Sequence, residues 1–502
     1  MPIVLIVLLL ASIMELRWPA GYFGIDSIGT ISAVLSLCLL SVGISVVLAH
    51  RLHWSQMESQ DQYELALSWW TRWRSIGFYI NIGIVLIAIF VFGWARMIRA
   101  ECVVPNTTRL WPMAELLVPG PYFFLLALNW VVQWWADRTQ YRRRRLVKPF
   151  VGPVGYWLHN LRQFAIFVCL PVLLTATQYS LTRWLPGTSQ EVWYQVALVL
   201  GPLLLFLIFP IVLRFVLGWK PLPPGPRRDR FVSMAARLKV RYADILLMPT
   251  QGLMANAFVI GFIPQARYVV FTDAILEQMS EADLDAVLGH ELGHVRHHHL
   301  EFFLGFLILS SIALSSLVAL GAAILRSWTD EPWIQEVVTS RMLGVVLLGA
   351  MAIYLFVVFG WLSRACERQA DLFGSLANSC LDPHCHRHET GTRLSEATLC
   401  PTGLRQMAQA LEHVALIYGL HTDSPSKPPL RTRLLAWLRA WQHGPIGHRV
   451  QYLYSVIDRP ALAAMHQRKV WLMRVGLIAV LILCCAAGYF VSLEELDTIL
   501  GD

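Results

Sequence analysis

Long apolar runs constrain the fold of this chain more than any other feature of its sequence. A helix of about 20 apolar residues crosses the roughly 30 Å hydrocarbon core of a bilayer, and runs near that length recur along the chain. They lie at residues 28–49, 77–98, 114–135, 163–181, 193–217, 302–325, 341–362 and 470–492. The sequence therefore predicts a mainly α-helical polytopic membrane protein.

A shorter apolar run, Met1 to Leu16, is either a ninth transmembrane span or a signal peptide. We favour the span, because no basic residue precedes the run and no small-residue cleavage site is clear. The composition agrees with about nine spans: 56% of the residues are hydrophobic, 15% are charged, and the mean hydropathy is +0.52. These values are far from those of soluble domains.

The charges of the loops predict the orientation, because lysine and arginine collect on the cytoplasmic side. The loop Asp137 to Arg162 contains the run Arg142 to Arg145, and the loop His50 to Ser75 lies on the same side if nine spans are counted. The loop that follows residue 325 and the tail at 493–502 are acidic. We therefore expect a cytoplasmic amino terminus, in the inner membrane of the cell. A lipid- or partner-binding patch is the alternative interpretation of the arginine run.

The net charge of +8 does not indicate a nucleic-acid partner, because the arginines lie in membrane-flanking loops beside tryptophans. The nine cysteines are an odd number, and several of them lie inside apolar runs. Such cysteines behave as small apolar side chains. The sequence therefore does not predict a disulfide framework.

The motif His290-Glu291-x-x-His294 lies in a segment with helical character. Residues four apart share one face of a helix, so the two imidazoles can bind one zinc ion, and Glu291 lies close enough to act on an activated water. Five residues alone also occur by chance, as two surface histidines on an amphipathic helix. The surrounding sequence must decide between these interpretations.

A catalytic zinc needs a third protein ligand, and the segment Ser363 to Asp371 offers one. Glu367 is the candidate ligand, and Asp371, one helical turn later, is the candidate that orients a ligand histidine. The alternative is an ordinary charged helix start after a membrane span. A metzincin pattern needs glycine at position 297 and histidine at position 300, where the chain has His297 and Leu300.

The apolar runs explain how the third ligand reaches the other two. His290 and His294 precede the run 302–325, and Glu367 follows the run 341–362. A transmembrane hairpin therefore returns Glu367 to the side of the histidines. We expect one zinc ion at or near the cytoplasmic membrane surface.

These motifs resemble those of the membrane zinc endopeptidase family that contains HtpX and the type I CAAX prenyl proteases. The resemblance covers roughly residues 220 to 440 and implies a gluzincin with a zincin-like α+β domain. Its motifs are the edge strand Asn256-Ala257-Phe258, the segment Thr272-Asp273-Ala274-Ile275-Leu276 before the active helix, and the glutamate signature of Ser363 to Asp371.

A late histidine-proline-arginine element of the family has an imperfect counterpart. Pro428-Pro429-Leu430 and Arg433-Leu434 resemble it, but Lys427 stands where histidine is usual. Arg433 and His421 are our candidates for stabilising the oxyanion of the reaction.

The segment Asn256 to Gly261 is expected to be an exposed edge strand, and such strands bind extended peptides by backbone pairing. The candidate substrate-binding residues are Asn256, Ala257, Phe258 and Gly261.

The proline-rich linker Gly218 to Pro226 cannot be helical throughout and marks a domain boundary. The predicted organisation is a transmembrane region (1–217), the first half of the peptidase domain (218–301), a transmembrane hairpin (302–363), the second half (364–469), a last span (470–492) and an acidic tail (493–502). The predicted elements are helices Phe231–Tyr242, Leu404–Gly419 and Leu430–Trp441, strands Ile245–Met248, Ala257–Ile263 and Tyr268–Thr272, and a cap at Ser280 on the active helix.

Two further segments of the chain are rich in histidine. The loop Asn378 to Cys400 is rich in cysteine and histidine, so a second, structural zinc is conceivable, but its spacing fits no standard finger and an ordinary flexible insert is favoured. The run His297-His298-His299 predicts a polar collar where a helix enters the headgroups, and not a set of ligands.

Together these features predict a zinc-dependent membrane endopeptidase in which Glu291 moves protons. The expected partners are a protein or peptide substrate and the bilayer, and the oligomeric state stays open. The alternatives are a CAAX-type prenyl-protein processing protease, a non-catalytic zinc scaffold and a transporter. Glu291 argues against a scaffold, and the few charges inside the spans argue against a transporter.

Overall fold

The computed structural model describes residues 26–105, 111, 114–143, 150–164, 192–250, 254–328, 341–379, 393–394, 397–417 and 443–500. Contacts divide the chain into two compact units, Met1–Phe206 and Leu207–Asp502.

The first unit consists of helices. They are α1 (Ser27–Trp54), α2 (Gln60–Phe90), α3 (Trp94–Glu101), α4 (Gly120–Arg143), α5 (Pro153–Phe164) and the start of α6 (Val192–Val216), with short 3₁₀ turns at Ser55–Met57 and Ala114–Leu117. Asp26 caps α1 by accepting a hydrogen bond from the Gly29 N–H. The buried side of α1 carries small residues that let α2 and α4 pack closely against it, among them Cys38, Ser41, Ser45 and Ala49.

Several boundaries in this unit differ from the sequence prediction, and the predicted loop Asp137 to Arg162 is helical to Arg143 and again from Pro153. The predicted loop His50 to Ser75 is mostly helical, because α1 continues to Trp54 and α2 begins at Gln60 after the capping residue Ser59. The backbone hydrogen bonds of a helix do not require apolar side chains, so both helices continue beyond the apolar runs into polar residues. The predicted span 77–98 is interrupted after Phe90, where α2 ends, and Gly93, with a φ of +67°, directly precedes α3.

Several helices fit a membrane, as predicted. Within the described residues, three are long and apolar enough to cross one, namely Ser27–Met57, Gln60–Phe90 and Ala461–Ala487. Glu281–Arg296 and His299–Leu314 also qualify when taken together, although a 45° bend separates them. Most of the predicted span 163–181, and the whole of Met1 to Leu16, lie outside the described residues. The total of nine spans stays a prediction.

The second unit contains a four-stranded sheet with the order β1-β2-β4-β3. Its strands are β1 (Lys220–Pro221), β2 (Asp244–Met248), β3 (Ala257–Ile260) and β4 (Tyr268–Thr272). Strands β2 and β4 are parallel, while β3 pairs with β4 in the antiparallel direction and lies at an edge of the sheet. Strand β3 stops before the predicted Ile263, because Gly261 turns the chain with a φ of +112° and lies against the Ala266 carbonyl.

The remaining elements of this unit are helical, apart from the small hairpin β5 (Arg393–Leu394) and β6 (Ala397–Thr398). They are α7 (Pro226–Arg237), α8 (Asp273–Gln278), α9 (Glu281–Arg296), α10 (His299–Trp328), α11 (Arg341–Ala377), α12 (Pro401–Ile417), α13 (Ile446–Asp458) and α14 (Ala461–Leu500). The predicted helix Phe231–Tyr242 is displaced towards the amino terminus, because Pro226 suits a first helical turn and Lys239 adopts a φ of +55°. The predicted helix Leu404–Gly419 corresponds to α12, and Leu430–Trp441 lies outside the described residues.

The core of the second unit forms between the sheet and helices α9, α11, α12 and α13. Leu284, Leu288 and Leu292 of α9 are fully buried there, against Phe271 of the sheet and Leu372 of α11. Helix α9 is therefore a core helix of the sheet domain, and we place it outside the membrane-spanning segments. Its position fixes where the His290-Glu291-x-x-His294 motif lies.

Candidate metal centre

Helix α9 brings the two predicted histidine ligands together. Ser280 caps the helix as predicted, and its hydroxyl accepts a hydrogen bond of 3.2 Å from the Asp283 N–H. One turn apart, the rings of His290 and His294 have centroids 4.9 Å apart, and their Nε2 atoms are separated by 3.2 Å. Both nitrogens therefore face the same small space.

Glycines let α11 approach α9 closely enough to deliver Glu367. A Cβ atom added to Gly289 would lie 2.6 Å from the Ala377 Cβ, and one added to Gly293 would lie 3.0 Å from the Ala370 Cα. At this approach, a Glu367 carboxylate oxygen lies 3.5 Å from His290 Nε2 and the other lies 3.8 Å from His294 Nε2.

The donor set fits a zinc ion. Ligand atoms of His290, His294 and Glu367 all lie within 4.8 Å of one another, and two imidazoles with one glutamate form a known zinc peptidase set that leaves a position open. The buried Glu367 Oε2 has no partner with hydrogen-bond geometry among the described residues, although Arg449 Nη1 lies 3.0 Å from it. A carboxylate oxygen has two lone pairs, so it can face a cation as well as the guanidinium.

A buried ion cluster supports these ligands. Asp371 Oδ1 lies 2.9 Å from His290 Nδ1, as expected for the group that orients this histidine. Arg449 donates from Nε to Asp371 Oδ2 at 2.8 Å, and its Nη1 lies 3.0 Å from Glu367 Oε2. Burial alone would raise the carboxyl pKa values, but the Arg449 guanidinium holds the pKa of Glu367 well below its usual range and also lowers the pKa of Asp371.

His443 approaches Glu367 from the solvent side. Its Nδ1 lies 2.8 Å from Glu367 Oε1, while the side chain is 72% exposed. Gly444, with a φ of +71°, and Pro445 turn the chain between this histidine and α13. The hydrogen bond to Glu367 raises the pKa of His443.

Arg449 and His443 were missed by the sequence analysis. The predicted oxyanion residues Arg433 and His421, and the element around Lys427, lie outside the described residues. A signal was present, because His443, Pro445 and Arg449 occur in the order histidine-proline-arginine expected of the late family element. One extra residue between the histidine and the proline obscured it.

Glu291 lies beside the candidate ligands, on the side of the sheet. Burial raises the pKa of its carboxyl to about 7, while the backbone of Val259 in β3 hydrogen-bonds the carboxyl and lowers this pKa. Strand β3 therefore passes next to the residue predicted to move protons.

The residues predicted to bind substrate lie at that edge of the sheet. Asn256 continues the pairing of β3, since its carbonyl accepts from the Thr272 N–H at 2.9 Å and its N–H donates to Thr272 Oγ1 at 2.8 Å. The Phe258 ring lies against Trp219, with centroids 5.7 Å apart. Gly261 is held by the turn after β3.

The predicted polar collar at residues 297–299 is wrong for His299. This side chain is 1% exposed, because it lies between His294 and Gln369 instead of facing outward. His298 is exposed, at 72%. In the cysteine- and histidine-rich insert, Cys400 is buried, and most of the other residues lie outside the described part of the chain.

Residues 229–384 match Peptidase family M48. The CAAX prenyl protease 1 homolog of Arabidopsis thaliana is 27% identical over 215 residues, which are 40% of this chain and 48% of that protein. The Protease HtpX homolog of Archaeoglobus fulgidus is 25% identical over 181 residues, which are 35% of this chain and 49% of that protein. This chain therefore spans about half the length of these curated relatives.

Among solved structures, S. mikatae Ste24p covers 84% of this chain and 97% of its own, with a TM-score of 0.49 and 15% sequence identity. The sequence matches confirm the predicted resemblance to the family of HtpX and the type I CAAX prenyl proteases. Together with the apolar helices, they support a multi-pass membrane protein.

Proposed function

We propose that this chain, whose sequence is similar to the family of HtpX and the type I CAAX prenyl proteases, is an integral-membrane zinc-dependent endopeptidase. The observation that supports this proposal most is the convergence of His290 and His294 from one helix with Glu367 from another. Glu291 stands beside them. A zinc scaffold without catalysis would need the three ligands but would have no use for Glu291.

In the proposed mechanism, a zinc ion held by His290, His294 and Glu367 would acidify a water molecule and polarise the scissile carbonyl. Glu291 would accept the proton of the attacking water and pass it to the leaving amine. Burial raises the pKa of the Glu291 carboxyl, which makes it a stronger proton acceptor. Arg449 and Asp371 would keep Glu367 and His290 in place, and His443, exposed at the rim, would stabilise the oxyanion.

The register of the sheet indicates which backbone groups would bind the substrate. Opposite residues of two antiparallel strands alternate between pairs that hydrogen-bond each other and pairs that do not. Asn256 and Thr272 lie opposite each other and are a hydrogen-bonded pair. Phe258 therefore faces its bonded partner Val270. It follows that the backbone groups of Ala257 and Val259 point away from β4. Because the Val259 N–H hydrogen-bonds the Glu291 carboxyl, we assign backbone pairing with an extended peptide to the N–H and C=O groups of Ala257 and to the C=O of Val259, rather than to Phe258.

The substrate class is argued from the relatives. One relative bears the name of a CAAX prenyl protease and another that of HtpX, so processing of prenylated carboxyl termini is the second candidate function. A pair of membrane-tethered peptides that differ only in a prenyl group separates the two. Equal cleavage of both peptides would favour a general membrane endopeptidase, and cleavage of the prenylated peptide alone would favour the processing protease.

We also propose that the site faces the cytoplasm. The sequence supports this, because the basic run Arg142 to Arg145 lies on the same predicted side of the membrane as residues 218–301 and 364–469.

The proposed activity can be tested with the purified full-length chain in detergent. We expect it to cleave an extended membrane-tethered peptide, to lose this activity after treatment with a zinc chelator, and to regain it when zinc is restored. Magnesium added at the same concentration is the matched control, since it prefers an octahedral set of oxygen ligands. Cleavage that persists in the zinc-free protein would refute the proposal.

A further inference from the structure

A series of buried and partly buried hydrogen bonds leads from helix α14 to the candidate ligand His294. Arg474 Nη2 donates to Gln369 Oε1 at 3.2 Å. The same oxygen lies 3.0 Å from His299 Nε2, and His299 Nδ1 lies 2.8 Å from His294 Nδ1. The proposed roles of the three ligands and of Glu291 do not explain these hydrogen bonds.

The direction of the first hydrogen bond is fixed by chemistry. A guanidinium group has only donors, so the Gln369 atom that faces Arg474 must be its oxygen. The amide nitrogen of Gln369 then points the other way, where it donates to the Gln467 side-chain oxygen. The orientation of the Gln369 amide is therefore set by Arg474.

The oxygen of Gln369 sets the tautomer of His299. A carbonyl oxygen can only accept, so the proton of His299 must be on Nε2. The ring is buried, at 1% exposed, and with Nε2 donating to Gln369 its Nδ1 is the atom that faces His294. A neutral ring protonated on Nε2 offers Nδ1 as an acceptor.

The acceptor on His299 sets the tautomer of His294 in turn. Because His299 Nδ1 accepts, His294 Nδ1 must donate, and the lone pair of His294 is then on Nε2. This is the nitrogen that faces His290 Nε2 and Glu367. The reversed tautomer would place a proton where the metal must bind.

We propose that Arg474, Gln369 and His299 are positioning residues that hold His294 in its metal-binding tautomer and connect the last apolar helix to the metal centre. The proposal rests on the proposed function, since it assumes that His294 is a zinc ligand. Two features of the neighbouring backbone agree with this proposal. The turn between α9 and α10, where His298 has a φ of +53°, returns His299 towards His294, and Arg474 Nη1 donates to the His297 carbonyl at 2.8 Å.

The experiment compares variants that keep or remove the acceptor on residue 369. Gln369→Met removes the acceptor at similar volume, whereas Gln369→Glu retains an oxygen towards both His299 and Arg474. Gln467→Met is the matched control, because it removes a hydrogen bond from the same amide without changing the oxygen. Zinc affinity of the full-length chain is measured in detergent by competition with a chelator, and the visible spectrum of the cobalt-substituted protein reports the geometry of the ligands.

We expect Gln369→Met to bind zinc about 10- to 100-fold more weakly, the usual effect of losing a partner behind a metal ligand, and to change the cobalt spectrum. Gln369→Glu and Gln467→Met should keep the parental affinity and spectrum. His299→Phe should reproduce Gln369→Met, and where it does not fold, the Gln369 variants decide.

Parental zinc affinity in folded Gln369→Met, or equal losses in Gln369→Met and Gln467→Met, would overturn the inference. A parent protein that binds no zinc would instead contradict the proposed function. The two failures are therefore distinguishable.

Discussion

The two compact units differ in the polar groups that they bury. In the first unit the buried groups are neutral and bind one another: Ser41 donates to Asn81 at 3.2 Å, Ser45 donates to Asn129 at 2.9 Å, and Trp73 Nε1 donates to Ser45 at 2.8 Å. The second unit also buries ionisable groups, and there Arg449 lies between Asp371 and Glu367.

The neutral groups of the first unit serve helix packing, whereas the ion cluster of the second unit serves ligand binding. Neutral side chains in a helical bundle can satisfy one another completely, so they contribute packing and a modest hydrogen-bond energy. A buried carboxylate is stable only with a compensating charge. Glu367 has Arg449 as a charge partner, with Nη1 3.0 Å from Oε2, and its two oxygens also lie 3.5 Å from His290 Nε2 and 3.8 Å from His294 Nε2. That combination is suited to binding a cation.

The largest effect is expected from a substitution that breaks the ion cluster of Arg449, Asp371 and Glu367. Arg449→Met leaves Asp371 and Glu367 buried without their guanidinium, and removing one partner of such a cluster costs about 3–5 kcal/mol. We therefore expect a large fall in the free energy of unfolding, measured by denaturant titration in detergent. Arg405→Met, at an exposed arginine of α12, is the control.

Zinc sharpens this test. A bound cation replaces part of the lost positive charge, so zinc should recover more stability in Arg449→Met than it adds to the parent protein. If Arg449→Met were as stable as Arg405→Met, the ion cluster would not have the role assigned to it.

A smaller effect is expected at strand β3 of the second unit, whose edge leaves backbone groups open to a ligand. The helices described for the first unit leave no such edge. Ala257→Pro removes an N–H that points to the open edge of β3, so about one hydrogen bond to the substrate is lost, worth about 1 kcal/mol. We expect KM to rise about 5-fold, the equivalent of that energy, with unchanged zinc content.

The neighbouring residue provides the control for this prediction. Phe258→Pro removes an N–H that bonds β4, so it should lower the thermal stability of the protein as well as its activity. Equal effects of the two prolines on stability would show that the register argument is wrong.

The smallest effect is expected in the first unit. Ser45→Ala removes the partner of Trp73 Nε1 and of Asn129, and hydrogen bonds of this kind between membrane helices average about 0.6 kcal/mol. The thermal midpoint should fall slightly while zinc content and cleavage stay at parental values. Ser36→Ala, an exposed serine of the same helix, should have no measurable effect. Lost zinc binding in Ser45→Ala would mean that the first unit does more than hold its helices together.

The sequence predicted the parts of the site that local spacing encodes. His290, Glu291 and His294 are linked by helical periodicity, the cap at Ser280 by residue type, and Glu367 by the return of a transmembrane hairpin. The prediction that they converge agrees with the structure, while their roles remain proposals.

Features that depend on distant packing were not predictable. Arg449 follows Glu367 by some 80 residues, and no local pattern indicates that its guanidinium would reach two buried carboxylates. His299 was predicted to be exposed from its neighbours in a run of three histidines, but the turn at His298 buries it. The helical stretch inside the predicted loop His50 to Ser75 was missed because apolar runs mark where membrane begins, not where a helix ends.

The central claim is that His290, His294 and Glu367 hold zinc while Glu291 moves protons. The most direct test measures zinc by elemental analysis beside peptide cleavage in Glu291→Gln and Glu367→Ala. We predict that Glu291→Gln keeps zinc and loses activity by about 10²- to 10⁴-fold, the usual contribution of a general acid–base group, whereas Glu367→Ala loses zinc and activity together. Full activity in Glu291→Gln, or full zinc content in Glu367→Ala, would contradict the account.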